Sequence, residues 1–128
     1  MKKPVHEDDV PGRVWYKGTD RELTGRALSD VGSDAKIGFG ILELAAGSNT
    51  GPAHYHSHEE EHLYVLDGNA TLHLGSQTFA LKKGSYVCFP AGQEIFHHLE
   101  NNTDSAFRYI IIGERIEDDR VTHLRKDL

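Results

Sequence analysis

Short runs of alternating apolar and polar residues recur along the chain, and this period of two predicts strands. Ala70-Thr71-Leu72-His73-Leu74 is a clear case, closed by Gly75-Ser76 as a tight turn. Gln77 to Leu81 follows with Phe79 and Leu81 on one face, and Lys82-Lys83-Gly84 turns the chain before Tyr86 to Phe89. Glu61 to Leu66 is the strongest strand, ended by Asp67-Gly68, a pair favoured in hairpin turns. Ile95 to Leu99 and Ala106 to Ile112 supply two more. Upstream, Arg13 to Tyr16, Glu22 to Ser29 and Ile37 to Leu44 read the same way, with Gly38 and Gly40 suggesting a bulge or a close backbone approach. No segment carries a helical period. Short strands with turn signals every eight to twelve residues or so predict an all-β sandwich or barrel. The expected organisation is an N-terminal arm over residues 1-12, one β-barrel over 13-113, and a C-terminal tail over 114-128 packing on the barrel. Alternating charges after Gly113 assign that tail no element.

At 128 residues the chain is one domain's worth, and 38% hydrophobic with 27% charged residues predicts a soluble globular protein. Twenty acidic against 14 basic residues give a net charge of -6. No Lys/Arg-rich stripe interrupts that balance, which argues against nucleic acid or an anionic membrane as partner. The longest apolar stretch, Tyr109 to Ile112, is far too short to span a bilayer. His6-Glu7-Asp8-Asp9 stands where a signal peptide would need apolar residues, so the expected location is the cytoplasm. Cys88 is the single cysteine, which excludes an internal disulfide; its strand-like surroundings predict a small buried hydrophobe.

Histidine changes the picture. Four of the nine lie between His54 and His62, interleaved with Glu59, Glu60 and Glu61. His54 and His56 are two apart, so on a strand both point to one face with Tyr55 opposite. Their imidazoles can then converge on one ion as neutral nitrogen donors. A turn at Ser57-His58 lets an acidic residue at the start of the next strand add a carboxylate. A third imidazole must come from a distant strand, where His97 and His98 are both candidates.

The segment from Gly51 to Gly68 resembles the first motif of the cupin superfamily: His-x-His, three or four residues, Glu, six residues, Gly. His54, His56, Glu61 and Gly68 fit it with four and six intervening residues. The family's leading glycine normally precedes the first histidine by six; Ser48 holds that place and Gly47 is one further back. The second motif is matched by Gly84, Pro90, Gly92, His97 and Asn101, with four residues rather than two between Gly92 and His97, which implies a longer turn. The resemblance spans residues 47-101. It implies a single-domain jelly-roll β-barrel, the cupin-like double-stranded β-helix. It also implies one divalent metal ion per chain (Fe, Mn, Ni or Zn) held by His54, His56, Glu61 and His97. Spacing to Gly68 selects Glu61 over Glu60, and alternation then turns Leu63 and Val65 inward.

Among the other histidines, His98 alternates away from His97 and His73 reads as surface. His6 and His123 fall in the terminal arms and read as inert. His58, in the turn, and Tyr109 are the candidate substrate contacts; no residue is singled out as catalytic. Apolar residues on both faces of Phe107 to Ile112 predict one face in the core and the other against a second subunit, hence a homodimer. Three neutral imidazoles and one carboxylate leave a divalent site with a charge of about +1 and about two open octahedral positions. That suits a small-molecule ligand with two oxygens. The expected function is a metal-dependent enzyme on a small oxygen-bearing substrate, of dioxygenase or isomerase/lyase type; the alternative is a non-catalytic module that binds or senses such a molecule.

Overall fold

The computed structural model describes residues 3–29 and 34–125. Its elements, after a 3-10 turn at Glu7–Asp9, are β1 (Arg13–Trp15), β2 (Leu23–Ala27), β3 (Ile37–Leu44), β4 (His54–His56), β5 (Glu61–Asp67) and β6 (Ala70–Leu74). They continue with β7 (Gln77–Leu81), β8 (Tyr86–Phe89), β9 (His97–Glu100), β10 (Phe107–Glu114) and β11 (Val121–His123). Two antiparallel sheets result. One runs β1-β2-β3-β10-β5-β8 and the other β11-β4-β9-β6-β7. This is the all-β jelly roll, built as two facing sheets rather than as one hydrogen-bonded ring.

Alternation decides which residues meet between the sheets. Leu63 and Val65 of β5, Leu72 of β6, Leu44 of β3 and Phe107 of β10 are almost free of solvent, while Tyr64 between two of them is 46% exposed. Burying side chains of this size contributes roughly 1.5–3 kcal/mol each. At the β5–β6 turn Gly68 has φ +87°, and a Cβ there would come within 2.6 Å of the Ala106 carbonyl oxygen, so only glycine fits. Asn101, wholly buried, ties the loop after β9 to the end of β3. Its side-chain amide donates toward the carbonyls of Leu44, Ala45 and Ser105, and its oxygen accepts from the Thr103 N–H and hydroxyl.

Several details differ from the sequence reading. Strand β9 starts at His97, because Gln93 to Phe96 belong to the longer turn that follows Gly92. The tail contains β11, which pairs with β4 through Val121↔His56 and His123↔His54. Its alternating charges hid a strand held by backbone bonding at a sheet edge. Cys88 is half-buried on the outer face of its sheet instead of being a core residue, because Val87 and Phe89 take the inward positions of β8. On the outer face of β10, Arg108 pairs with Glu7 and Glu43, so the N-terminal arm lies across part of that face. No helix among the described residues is long and apolar enough to cross a membrane.

Candidate metal centre

Strand β4 lies between β9 and β11, so His54 is opposite His97 on one side and His123 on the other. Ring centroids separate His54 from His97 by 4.6 Å, from His56 by 5.3 Å and from His123 by 5.9 Å. Tyr55 points the other way and packs edge-on against Phe96. Glu61 opens β5 in the facing sheet and turns inward with Leu63 and Val65, so both sheets contribute to the cluster. Ligand atoms of His54, His56 and Glu61 all lie within 4.8 Å of one another. His97 stands beside that trio with its ring stacked on Phe89 at 3.9 Å.

His56 has a carboxylate at each nitrogen. Nε2 is 2.8 Å from Glu61 Oε1, and Nδ1 is 2.7 Å from Asp119 Oδ2. A carboxylate at each nitrogen favours the protonated ring, and its pKa is raised to about 9: the hydrogen bond to Glu61 leads, burial opposes, and Asp119 adds to the rise. Burial of Glu61 works against its charge, yet the hydrogen bond and charge of His56 hold its pKa below the usual value. Asp119 is treated alike. Burial opposes its charge, but His56 and the backbone N–H groups of His58 and Glu59, each 2.9 Å from Oδ1, lower it to about 2. Burial pushes His97 down to about 4, helped by the neighbouring His54, and it lowers His54 as well. These two rings are therefore neutral near pH 7 and have lone pairs to offer.

A cavity of about 250 Å³ opens on the cluster, lined by His54, Glu61, His97 and Tyr109 among apolar side chains such as Leu42 and Ile111. Tyr109 is 4% exposed, and burial, then the charge of Glu61, raises its pKa, so it stays a phenol able to donate. His58 is exposed, outside this lining, with Nδ1 2.7 Å from Ser57 Oγ. Glu60 turns outward with His62, as alternation requires, and His98 leaves the cluster to stack on His73 at 4.4 Å. His73 is half-buried there, its Nε2 3.3 Å from Glu100.

Two residues escaped the sequence reading. Asp119 sits in a charged tail where nothing local distinguishes it from Asp118. His123 could be placed beside His54 only by knowing that β11 adds to β4. Strand parity in a tail of alternating charges is the one signal that points that way.

Residues 40–113 match the family model described as the cupin domain. The chain belongs to the cupin family. Among curated proteins it is similar to quercetin 2,3-dioxygenase of Bacillus subtilis (strain 168), 28% identical over 98 residues. The match takes in 73% of this chain but 29% of that protein, so this cupin chain corresponds to under a third of the dioxygenase. Among solved structures it resembles a sugar phosphate isomerase of the cupin superfamily from Silicibacter pomeroyi, with a TM-score of 0.86 at 21% identity. That likeness covers 98% of this chain and 83% of the other. A polyketide cyclase from Streptomyces resistomycificus superimposes with a TM-score of 0.80 at 24% identity, over 99% and 89% of the two chains. At these identities the structural likeness speaks for the fold.

Proposed function

We propose that this cupin is a metal-dependent enzyme acting on a small oxygen-bearing substrate, of dioxygenase or isomerase/lyase type, with His54, His56, Glu61 and His97 as ligands to one divalent ion. The observation that carries the reading is the placement of His56 against Glu61 and His54. Its Nε2 shares a proton with Glu61 at 2.8 Å, at the point where His54 also converges, and a divalent ion can replace that proton while both groups stay in place. Asp119 then remains on Nδ1, the arrangement in which a carboxylate orients a ligating histidine and raises its basicity. The donor set of three imidazoles and a carboxylate fits Fe, Mn, Ni or Zn.

The ion would supply Lewis acidity toward a substrate oxygen, or with iron a redox partner for oxygen chemistry. The chain's own residues do the rest. The apolar side chains of the cavity, Leu42, Leu63 and Ile111 among them, offer a nonpolar bed for the carbon part of the substrate. Tyr109 lines the cavity, and its protonated hydroxyl would serve as a donor to a substrate carbonyl or hydroxyl. The family's breadth agrees with this range: the similar proteins named above include a dioxygenase, an isomerase and a cyclase.

One observation favours a binding module instead. Among the described residues, and beyond the proposed ligands, Tyr109 is the titratable group lining the cavity, apart from His98, whose ring stacks on that of His73, and Tyr109 is held protonated. The two readings separate on a panel of diketones, hydroxy acids and sugar acids, incubated with the Fe(II), Mn(II) and Ni(II) forms with and without oxygen. Oxygen-dependent product supports the dioxygenase, and oxygen-independent product the isomerase or lyase. Saturable, metal-dependent binding of a panel member with no product in any form would establish the binder.

A further inference from the structure

On the opposite side of β5 from Glu61, a second set of metal-ligating groups meets. His62 and Cys88 are direct cross-strand partners on the outer face, and Glu60 precedes His62 by two, sharing its side of the strand. His62 Nε2 lies 2.7 Å from Glu60 Oε2 and 4.0 Å from Cys88 Sγ. The three ligand atoms fall within 4.8 Å of one another. Zinc bonds of about 2.3 Å to sulfur and 2.0–2.1 Å to nitrogen put tetrahedral ligands roughly 3–4 Å apart, so side-chain adjustments of about half an ångström to one ångström bring the three groups to bonding positions.

Tyr86 orients the His62 ring. His62 Nδ1 is 2.6 Å from the Tyr86 hydroxyl, and the two rings stack at 5.8 Å. That partner can take the Nδ1–H and leave the Nε2 lone pair toward Cys88 and Glu60, which is how the outer partner of a ligating histidine fixes its tautomer. Beside His62 in the sheet is Ile112, an apolar wall on one side of the group.

We propose that Glu60, His62 and Cys88 form a second metal site, independent of the inner one, that takes a borderline ion such as Zn(II) or Co(II) and completes its coordination with water. On binding, the Cys88 thiol gives its proton to solvent and the imidazole proton relocates from Nε2 to Nδ1. The resulting thiolate and carboxylate together neutralise the ion's two charges. A thiolate ligand selects Zn(II) and Co(II) over Mn(II) or Mg(II), so the two sites differ in the ions they prefer. The chain would then hold two ions, one more than its sequence motif implies.

The lone cysteine makes the test clean, because any sulfur-to-cobalt charge-transfer absorption must come from Cys88. The full-length protein, freed of metal under reducing conditions, is titrated with Co(II) and followed in the near ultraviolet, with bound cobalt counted by equilibrium dialysis. The expected result is the charge-transfer band with a stoichiometry of one Co(II) for the band. Cys88→Ser and His62→Gln should each abolish the band and lower the total by one ion, with far-UV circular dichroism unchanged. His56→Ala should keep the band, so a failed inner site leaves this result standing and the reverse. Absence of the band in the wild-type protein, or its persistence in His62→Gln, would overturn the proposal.

Discussion

His56 is held between two carboxylates, and the proton it carries is the competitor of the proposed ion. With its pKa at about 9, the ring is protonated near pH 7 in the metal-free protein, so Mn(II) binding at that pH should release about one proton per ion. Calorimetry in buffers of different ionisation enthalpy measures that number, and a value of zero would contradict ligation by His56. The same groups set the stability of the metal-free form. A folded pKa above the unfolded value of about 6.5 stabilises below that value, and this contribution is lost as pH rises toward 9. His97 acts in the opposite sense: with its folded pKa at about 4, its contribution is lost as pH falls from about 6.5 toward 4. Metal-free protein should therefore melt at the highest temperature near pH 6.5, and metal should move that optimum upward, as thermal melts across pH would show. Asp119→Asn keeps the shape but weakens the hold on His56, and should cost roughly ten- to hundredfold in metal affinity. An unchanged affinity in that variant would reduce Asp119 to a tether for the His58 and Glu59 backbone.

Strands and their faces were readable because alternation is a local property. Leu63 and Val65 turned inward with Glu61, Glu60 turned outward with His62, and Tyr55 turned away from His54 and His56, each as a period of two requires. What sequence could not show is which edges meet. The pairing of β11 with β4 brings His123 to His54 and Asp119 to His56, yet it rests on backbone bonds between short, polar segments that carry no hydrophobic signature. The position of Cys88 was missed for a related reason: apolar neighbours on both sides mark a strand but do not say which face is buried. At the loop after β9, the wholly buried Asn101 bonds three carbonyls and a hydroxyl, of which the Leu44 carbonyl is the most deeply buried. Asn101→Ala should destabilise the fold by about 2–3 kcal/mol, since each buried group left unpaired costs about 1–3 kcal/mol, and urea unfolding provides the measurement. A loss under about 0.5 kcal/mol would mean that water enters the loop in its place.

The molecule as a whole places its chemistry where the two sheets face each other, so an ion at the centre would cross-link them. His54, His56 and His97 come from one sheet and Glu61 from the other. The outer face of the larger sheet leaves apolar residues exposed beside β10: Ile37 is 53% exposed, Tyr64 46% and Tyr86 59%, with the N-terminal arm covering the end near Arg108. A homodimer formed there should appear by light scattering at high micromolar concentration, and a monomer at that concentration would rule it out. Such a dimer would enclose Glu60, His62 and Cys88 rather than remove them. The central claim is the inner ion, and anomalous diffraction from crystals of the Mn(II)-loaded protein tests it most directly, because manganese favours the nitrogen and oxygen donors of that site. The account predicts one strong anomalous peak per chain within bonding distance of His54, His56, Glu61 and His97, absent in His56→Ala. A map with no peak among those four residues, in protein shown to contain manganese, would contradict it.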